Sequence, residues 1–272
     1  MATIGKLMGF AKASSITPTY VMLKQIHDIA RIMNIGYGVQ AVGGSLSYAD
    51  GYRIHTFYSS GTFTVYTGGG QASGDVEYLV VGGGGGSSGG LAGVSYAPGA
   101  AGGVVRSGTG LACVPPSYAV TVGGGGAAIL SGGGNGGSSI FSTITATGGN
   151  GSDLSRTGAA NADHSGEVGA SENYTAGGGA GSGENGGTDG ASEGGDGTSS
   201  SITGSPTDYG GGGGSVKVET AKAGGSGGGG AGAIHPAVGV SGTPNTGGGG
   251  GGGGATPGGG AGGSGIVIVR YL

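Results

Sequence analysis

The stretch that decides the fold is Val76-Glu77-Tyr78-Leu79-Val80-Val81, an aliphatic strand that empties without any linker into Gly82 to Gly86. Its counterpart closes the chain, where Gly263-Ser264-Gly265 leads into Ile266-Val267-Ile268-Val269-Arg270-Tyr271. β-Branched residues dominate both, which reads as strand. The handover recurs where Val122 meets Gly123 to Gly126 and Tyr209 meets Gly210 to Gly214, and the longest run is Gly247 to Gly254. In an α-helix each Gly costs about 1 kcal/mol relative to Ala, so these runs are not α-helical. An extended left-handed helix of the polyproline II type, polyglycine II, remains open to them. Such a helix makes no internal hydrogen bonds, so its N–H and C=O groups must find neighbouring segments or water. Packed side by side, glycine helices satisfy one another. Eight residues at about 3.1 Å rise give a rod of roughly 25 Å.

Composition supports this reading. Of 272 residues 80 are Gly, only 9% are charged and 8 are Pro. Blocks of Gly without a three-residue sequence period, and so little Pro, exclude collagen. A flexible linker is the competing interpretation, but aliphatic strands at both ends and the scarcity of charge runs favour a packed array. The formal charge of −4 offers no broad basic surface for nucleic acid. No run of 18 large apolar residues exists for membrane insertion, and Met1 to Phe10 does not read as a signal peptide. The lone Cys113 cannot bridge within the chain, which is compatible with synthesis in a reducing cytoplasm.

Working outward, further strands are expected at Arg53 to Tyr58 and Thr62 to Tyr66, joined as a hairpin through Ser59, Ser60 and Gly61, then at Tyr118 to Val122 and Ile140 to Thr147. The economical topology returns Ile266 to Tyr271 beside the first strands. Residues 1–70 hold five Lys/Arg, two acids and 11 Gly, against five, twelve and 69 in the remainder, so the N-terminal region is a separate segment. We place its end near Gly43 to Gly51, giving domains 1–50 and 51–272. Thr17 as N-cap, Pro18 at the first helical position and the terminators Asn34 and Gly36 predict a helix over about 18–34. Met22, Ile26, Ile29 and Met33 recur at steps of four, three and four, a seam suited to oligomerisation or docking, or to packing within its own segment. The expected fold is therefore mainly β and polyglycine II: a small β-sheet base carrying a packed bundle of polyglycine II helices, preceded by a short α-helical segment.

Several apparent motifs carry no chemistry. G-x-G-x-x-G patterns arise by chance at this Gly content, and no βαβ unit follows them. Gly224-Gly225-Ser226-Gly227-Gly228 lacks the strand and helix of a nucleophile elbow. His27, His55, His164 and His235 are dispersed, without metal-ligand spacing. Residues 151–197 contain eight acids, but no calcium-loop spacing, so a solvated, self-repelling face is expected. No cofactor and no catalytic group is implied, and the reading is non-enzymatic.

Ile54-His55-Thr56-Phe57, Ser60-Gly61-Thr62-Phe63-Thr64-Val65, Glu77 to Val81 running into glycines, Tyr118 to Val122, and Gly263 to Tyr271 together resemble the glycine-rich domain of bacteriophage tail fibre and adhesin proteins. The resemblance covers about residues 52–272. It implies a virion protein made in the host cytoplasm, in which a polyglycine II bundle displays variable loops to a bacterial surface glycan or outer-membrane protein. Residues 1–50 lie outside the resemblance; from the Met22, Ile26, Ile29 and Met33 seam, the N-terminal segment is expected to dock to another tail or fibre protein or to make the chain a homo-oligomer such as a trimer. A purely structural virion component, a capsid decoration or a tail or fibre spacer, is the alternative. Because glycine helices have no side chains, recognition falls to the interruptions between them, with His164, Tyr174, Tyr209, Ile234 and His235 the preferred contacts.

Overall fold

The computed structural model describes residues 39–67, 75–89, 97–169, 175–217, 220–254 and 258–272. All lie within the unit Gly38–Leu272, which is distinct from Met1–Tyr37. The helix expected over 18–34, with Met22, Ile26, Ile29 and Met33, lies outside the described residues. Among the described residues there is no α-helix, and the regular structure is antiparallel β.

The closing strand β14 (Ile266–Tyr271) is apolar on both faces and takes the centre of a five-stranded sheet. It lies between β3 (Tyr52–Phe57) and β5 (Asp75–Val81), with Val267 opposite both Phe57 and Val80. The expected return of the last strand to the first is thus found. β2 (Ser45–Ala49) and β6 (Val105–Ala112) form the edges. A second sheet has the order β1 (Gln40–Val42), β4 (Gly61–Thr67), β7 (Ser117–Thr121), β8 (Ser139–Phe141) and β9 (Ile144–Ala146).

Alternation along the strands builds two cores. Phe57, Val80 and Val269 of the first sheet meet Phe63, Val120 and Phe141 of the second in one cluster. The Phe63 and Phe141 rings are edge to face at 5.8 Å. Full burial of a side chain such as Phe63 contributes about 1.5–3 kcal/mol. On the other face of the first sheet, Ile54, Leu79, Ile266 and Ile268 are covered by Ile202 and Tyr209. Tyr209 belongs to β11 (Thr207–Tyr209), which pairs with β10 (Thr198–Ser200). A last short pair joins β12 (Val216–Lys217) to β13 (Thr220–Ala221).

Three sequence expectations change. β3 and β4 do not form a hairpin, since β3 pairs with β2 and β14 whereas β4 pairs with β1 and β7. None of Tyr58, Ser59 and Ser60 takes the positive φ that a tight hairpin loop needs, and these residues instead carry the chain from one sheet to the other. The true hairpin turn is Asp50-Gly51, with φ of 51° and 83°, between β2 and β3. Strands β1 and β2 therefore extend the β unit into the segment assigned to residues 1–50. Finally, Ile140 to Thr147 is the hairpin of β8 and β9 rather than one strand, because Ser142 turns the chain at φ 55°.

Between the strands run extended segments that bond sideways with a period of three. Gly82 and Gly85 donate their N–H groups to Val104 and Ala101, Gly83 and Gly86 to Gly137 and Gly134, Gly84 and Ser87 to Gly263 and Gly260. Carbonyls on the same stretch accept from Gly126, Gly149, Ser152 and Gly250. One segment thus bonds six neighbours. A β-strand repeats every two residues and an α-helix every 3.6, so neither generates this pattern. Close approach is what requires glycine: a Cβ on Gly84 would fall on the carbonyl oxygen of Gly248.

Candidate functional site

The segments that leave the sheets converge at a far end, and hydroxyl groups close it. Ser87 Oγ donates to Pro98 O at 2.8 Å, Ser88 Oγ to Asp153 O at 2.9 Å and Ser215 Oγ to Ala97 O at 2.7 Å. Ser152 Oγ donates to Ser87 Oγ at 3.1 Å and accepts from the Ser88 N–H at 3.0 Å. Serine suits these positions because its hydroxyl satisfies backbone groups that have lost a glycine neighbour at the end of the array.

Around this hydroxyl layer the far end is aliphatic. Ile129 bridges to Ser88, and Leu130 lies against Gly89 and Gly258. Ile129 and Leu130 are each 48% exposed, with Leu154 and Val238 also exposed. Gly258 accepts from the Gly239 N–H, and a Cβ on Gly254 would meet the backbone nitrogen of His235. These contacts put Ile234, half-buried, and His235, exposed, at the same end as Ile129 and Leu130. Apolar side chains held out on a hydrogen-bonded backbone lattice give a surface that binds with little ordering cost.

The other expected contacts lie elsewhere. Tyr209 is 5% exposed in the second core, where burial raises its phenol pKa. It packs the sheet and is not a surface contact; flanking polar residues and glycines had concealed this. His164 is half-buried in the loop organised by Asn161, whose Nδ2 donates to Gly102 O and Gly181 O. Gly102 lies two residues before Val104, which bonds Gly82 next to the sheet, so His164 is at the sheet end. Neighbouring Asp163 forms a two-pronged pair with Arg106 at 2.6 and 2.9 Å, and this bond holds its carboxyl below the usual range. Tyr174 lies outside the described residues. Ile129 and Leu130 were missed, although Ala127-Ala128-Ile129-Leu130 before Ser131-Gly132 is an apolar step where a glycine run ends.

Among the described residues, Glu184, Asp189 and Asp196 bring carboxylate oxygens within 4.8 Å of one another. Two of them already have backbone work: Glu184 accepts from the Asp196 N–H and Asp196 from the Ser226 N–H. Cys113 is buried, which pushes its thiol up to about 11 and keeps it protonated. No helix of the described residues is long and apolar enough to cross a membrane.

No curated protein matches the sequence. The glycine-rich domain family matches residues 56–272, the span from β3 through the bonded glycine segments to β14. By that match, the chain belongs to the glycine-rich domain family.

Proposed function

We propose that the chain is a non-enzymatic virion protein, a tail fibre or adhesin tip, whose far end attaches to a bacterial surface glycan or outer-membrane protein. The observation that carries this reading is the pairing of a laterally bonded glycine lattice with the exposed aliphatic side chains Ile129, Leu130, Leu154 and Val238 at its far end. In this account the extended segments are polyglycine II helices, for which a three-residue bonding period is the natural repeat. They act as a stiff mount, so far-end side chains lose little freedom on binding. Ile234 and His235 join that surface. Met22, Ile26, Ile29 and Met33 form the seam of an N-terminal helix that trimerises the protein or docks it to another fibre component.

The test is adsorption by particles carrying Ile129→Asp together with Leu130→Asp. Both side chains are half exposed, so assembly should be retained while adsorption falls at least about tenfold, equivalent to about 1.4 kcal/mol. Unchanged adsorption, with labelled antibody placing the chain away from fibre ends, would favour a structural component instead.

A further inference from the structure

An outer extended segment, 123–128, fills only half of its bonding directions. Inside the array, segment 82–87 gives its three rows of N–H groups to three neighbours, and its three rows of carbonyls accept from three others. Each contact runs one way, from donor row to acceptor row. In segment 123–128, Gly126 donates to Gly84, the Gly124 and Ala127 carbonyls accept from Gly137 and Gly134, and those of Gly123 and Gly126 accept from Gly265 and Gly262. The N–H groups of Gly124, Gly125, Ala127 and Ala128 and the Gly125 carbonyl have no partner among the described residues. Those four residues are exposed, whereas Gly123 and Gly126 are buried. Two donor rows and one acceptor row thus stand open.

Gly124 adds a second observation. Its φ is outside the left-handed region, and a Cβ there would meet nothing within 4 Å. The fold of one chain therefore makes no demand for glycine at this position. Another outer segment, 239–243, shows what exposed positions carry when nothing approaches them: Gly239 and Gly242 are buried, while Val240, Ser241 and Thr243 are exposed. Within the array glycine stands where a neighbouring backbone closes in, as at Gly84 against Gly248. At Gly124 that neighbour must come from outside the chain.

We propose that three copies of the chain associate through segment 123–128 around a three-fold axis, an open donor row of each bonding the Gly125 carbonyl row of the next. The occupant must itself be bare backbone, because segments bonded this closely leave no room for a Cβ, and a second copy offers the same bare backbone. A two-fold axis is excluded, since it sets identical rows face to face, donor against donor. A three-fold ring sets donor against acceptor. Such a ring already exists within the chain: Gly83 donates to Gly137, Gly137 to Gly124 and Gly126 back to Gly84, so segments 82–87, 134–137 and 123–128 close a one-way triangle. Symmetry makes the three copies run parallel, as segments do where Gly149 and Ser152 donate in step to Gly83 and Gly86. Segment 82–87, which receives the Gly126 N–H, bonds both segments that donate to 123–128 and so lies between them. Donor and acceptor directions therefore alternate, and an open donor direction adjoins the open acceptor direction.

The contact is short and belongs at the weak end of specific interfaces, so the full chain is followed from about 1 μM to about 0.5 mM by sedimentation and amide hydrogen exchange. The mass should pass from monomer to trimer. Gly124 and Ala127, or Gly125 and Ala128, should exchange rapidly in the dilute monomer and at least about tenfold more slowly in the trimer. Gly124→Ala should leave the melting temperature of the dilute monomer unchanged and shift assembly to at least about tenfold higher concentration. If the N-terminal seam alone joined the copies, the trimer would keep fast exchange in both rows and Gly124→Ala would assemble like the parent chain. Either result overturns the proposal, as does a dimer or a chain that stays monomeric throughout. Gly124→Ala leaves Ile129 and Leu130 untouched, so this outcome is separate from that of the adsorption test.

Discussion

Tyr271, next to the last residue of the chain, and His55 share a buried hydrogen bond of 3.0 Å between phenol oxygen and Nε2. The opposite ring nitrogen, Nδ1, donates to Gly43 O at 2.7 Å, which fixes the neutral tautomer with Nε2 as acceptor. The Tyr271 oxygen in turn accepts from the Ala41 N–H at 3.1 Å. β3 and β14 of one sheet are thereby tied to β1 of the other, through a histidine that must remain uncharged.

Burial, the largest influence, lowers the His55 pKa, with Arg53 adding to the effect and Gly43 opposing it. The folded protein therefore binds a proton less readily at His55 than the unfolded chain does. Its stabilising contribution is complete above the ordinary histidine value of about 6.5 and is lost as pH falls through the lower folded value. Denaturant melts between about pH 7.5 and pH 5 should show falling stability, and His55→Gln should flatten that dependence. Tyr271→Phe leaves Nε2 and the Ala41 N–H without this partner, and should cost about 1–3 kcal/mol at neutral pH.

Two glycines separate packing from composition. Gly84→Ala places a methyl on the Gly248 carbonyl, and overpacking of this kind typically costs about 1–3 kcal/mol or more. Gly124→Ala meets nothing within 4 Å and should change stability by no more than about 0.5 kcal/mol. Thermal melts of the two proteins check the contrast. Equal effects would mean that the sideways contacts are not formed.

Arg270 clamps the cover of the second core. Its guanidinium pairs with Glu77 at 2.6 and 2.8 Å, donates to Ser201 O and Ile202 O, and lies 4.3 Å from the Tyr52 ring centre. Arg270→Lys keeps the charge but loses the fork and the stacking. A loss of about 1–2 kcal/mol is expected, together with faster amide exchange in β10 and β11.

The Cys113 thiol, held protonated by burial, should resist a thiol reagent at about pH 8 in the native protein and react promptly once unfolded. Comparable rates in the two states would place the sulfur at the surface.

How much of this was legible depends on the residue. β14 and β5 are readable because Ile266 to Val269 and Leu79 to Val81 are apolar on successive positions, the mark of strands buried on both faces. β6 was missed because Gly108 and Gly110 break its alternation; Gly108 makes room for the Tyr78 ring, and Gly110 takes φ 74°. The β3–β4 corner looked like a hairpin because loop length alone permits one, and the choice of partner strand is tertiary. Tyr209 was misplaced for the same reason, since Ile54, Leu79, Ile266 and Ile268, which bury it, are far away in sequence. The three-residue period was invisible in uniform glycine.

The central claim is that glycine backbone amides, bonded sideways, hold the array together. Amide hydrogen exchange tests it within one molecule, because Gly83 to Gly86 each donate to another segment whereas Gly124 and Gly125 have no acceptor among the described residues. The account predicts strong protection at Gly83 to Gly86 and rapid exchange at Gly124 and Gly125. Exchange at random-coil rates throughout Gly83 to Gly86 would contradict it.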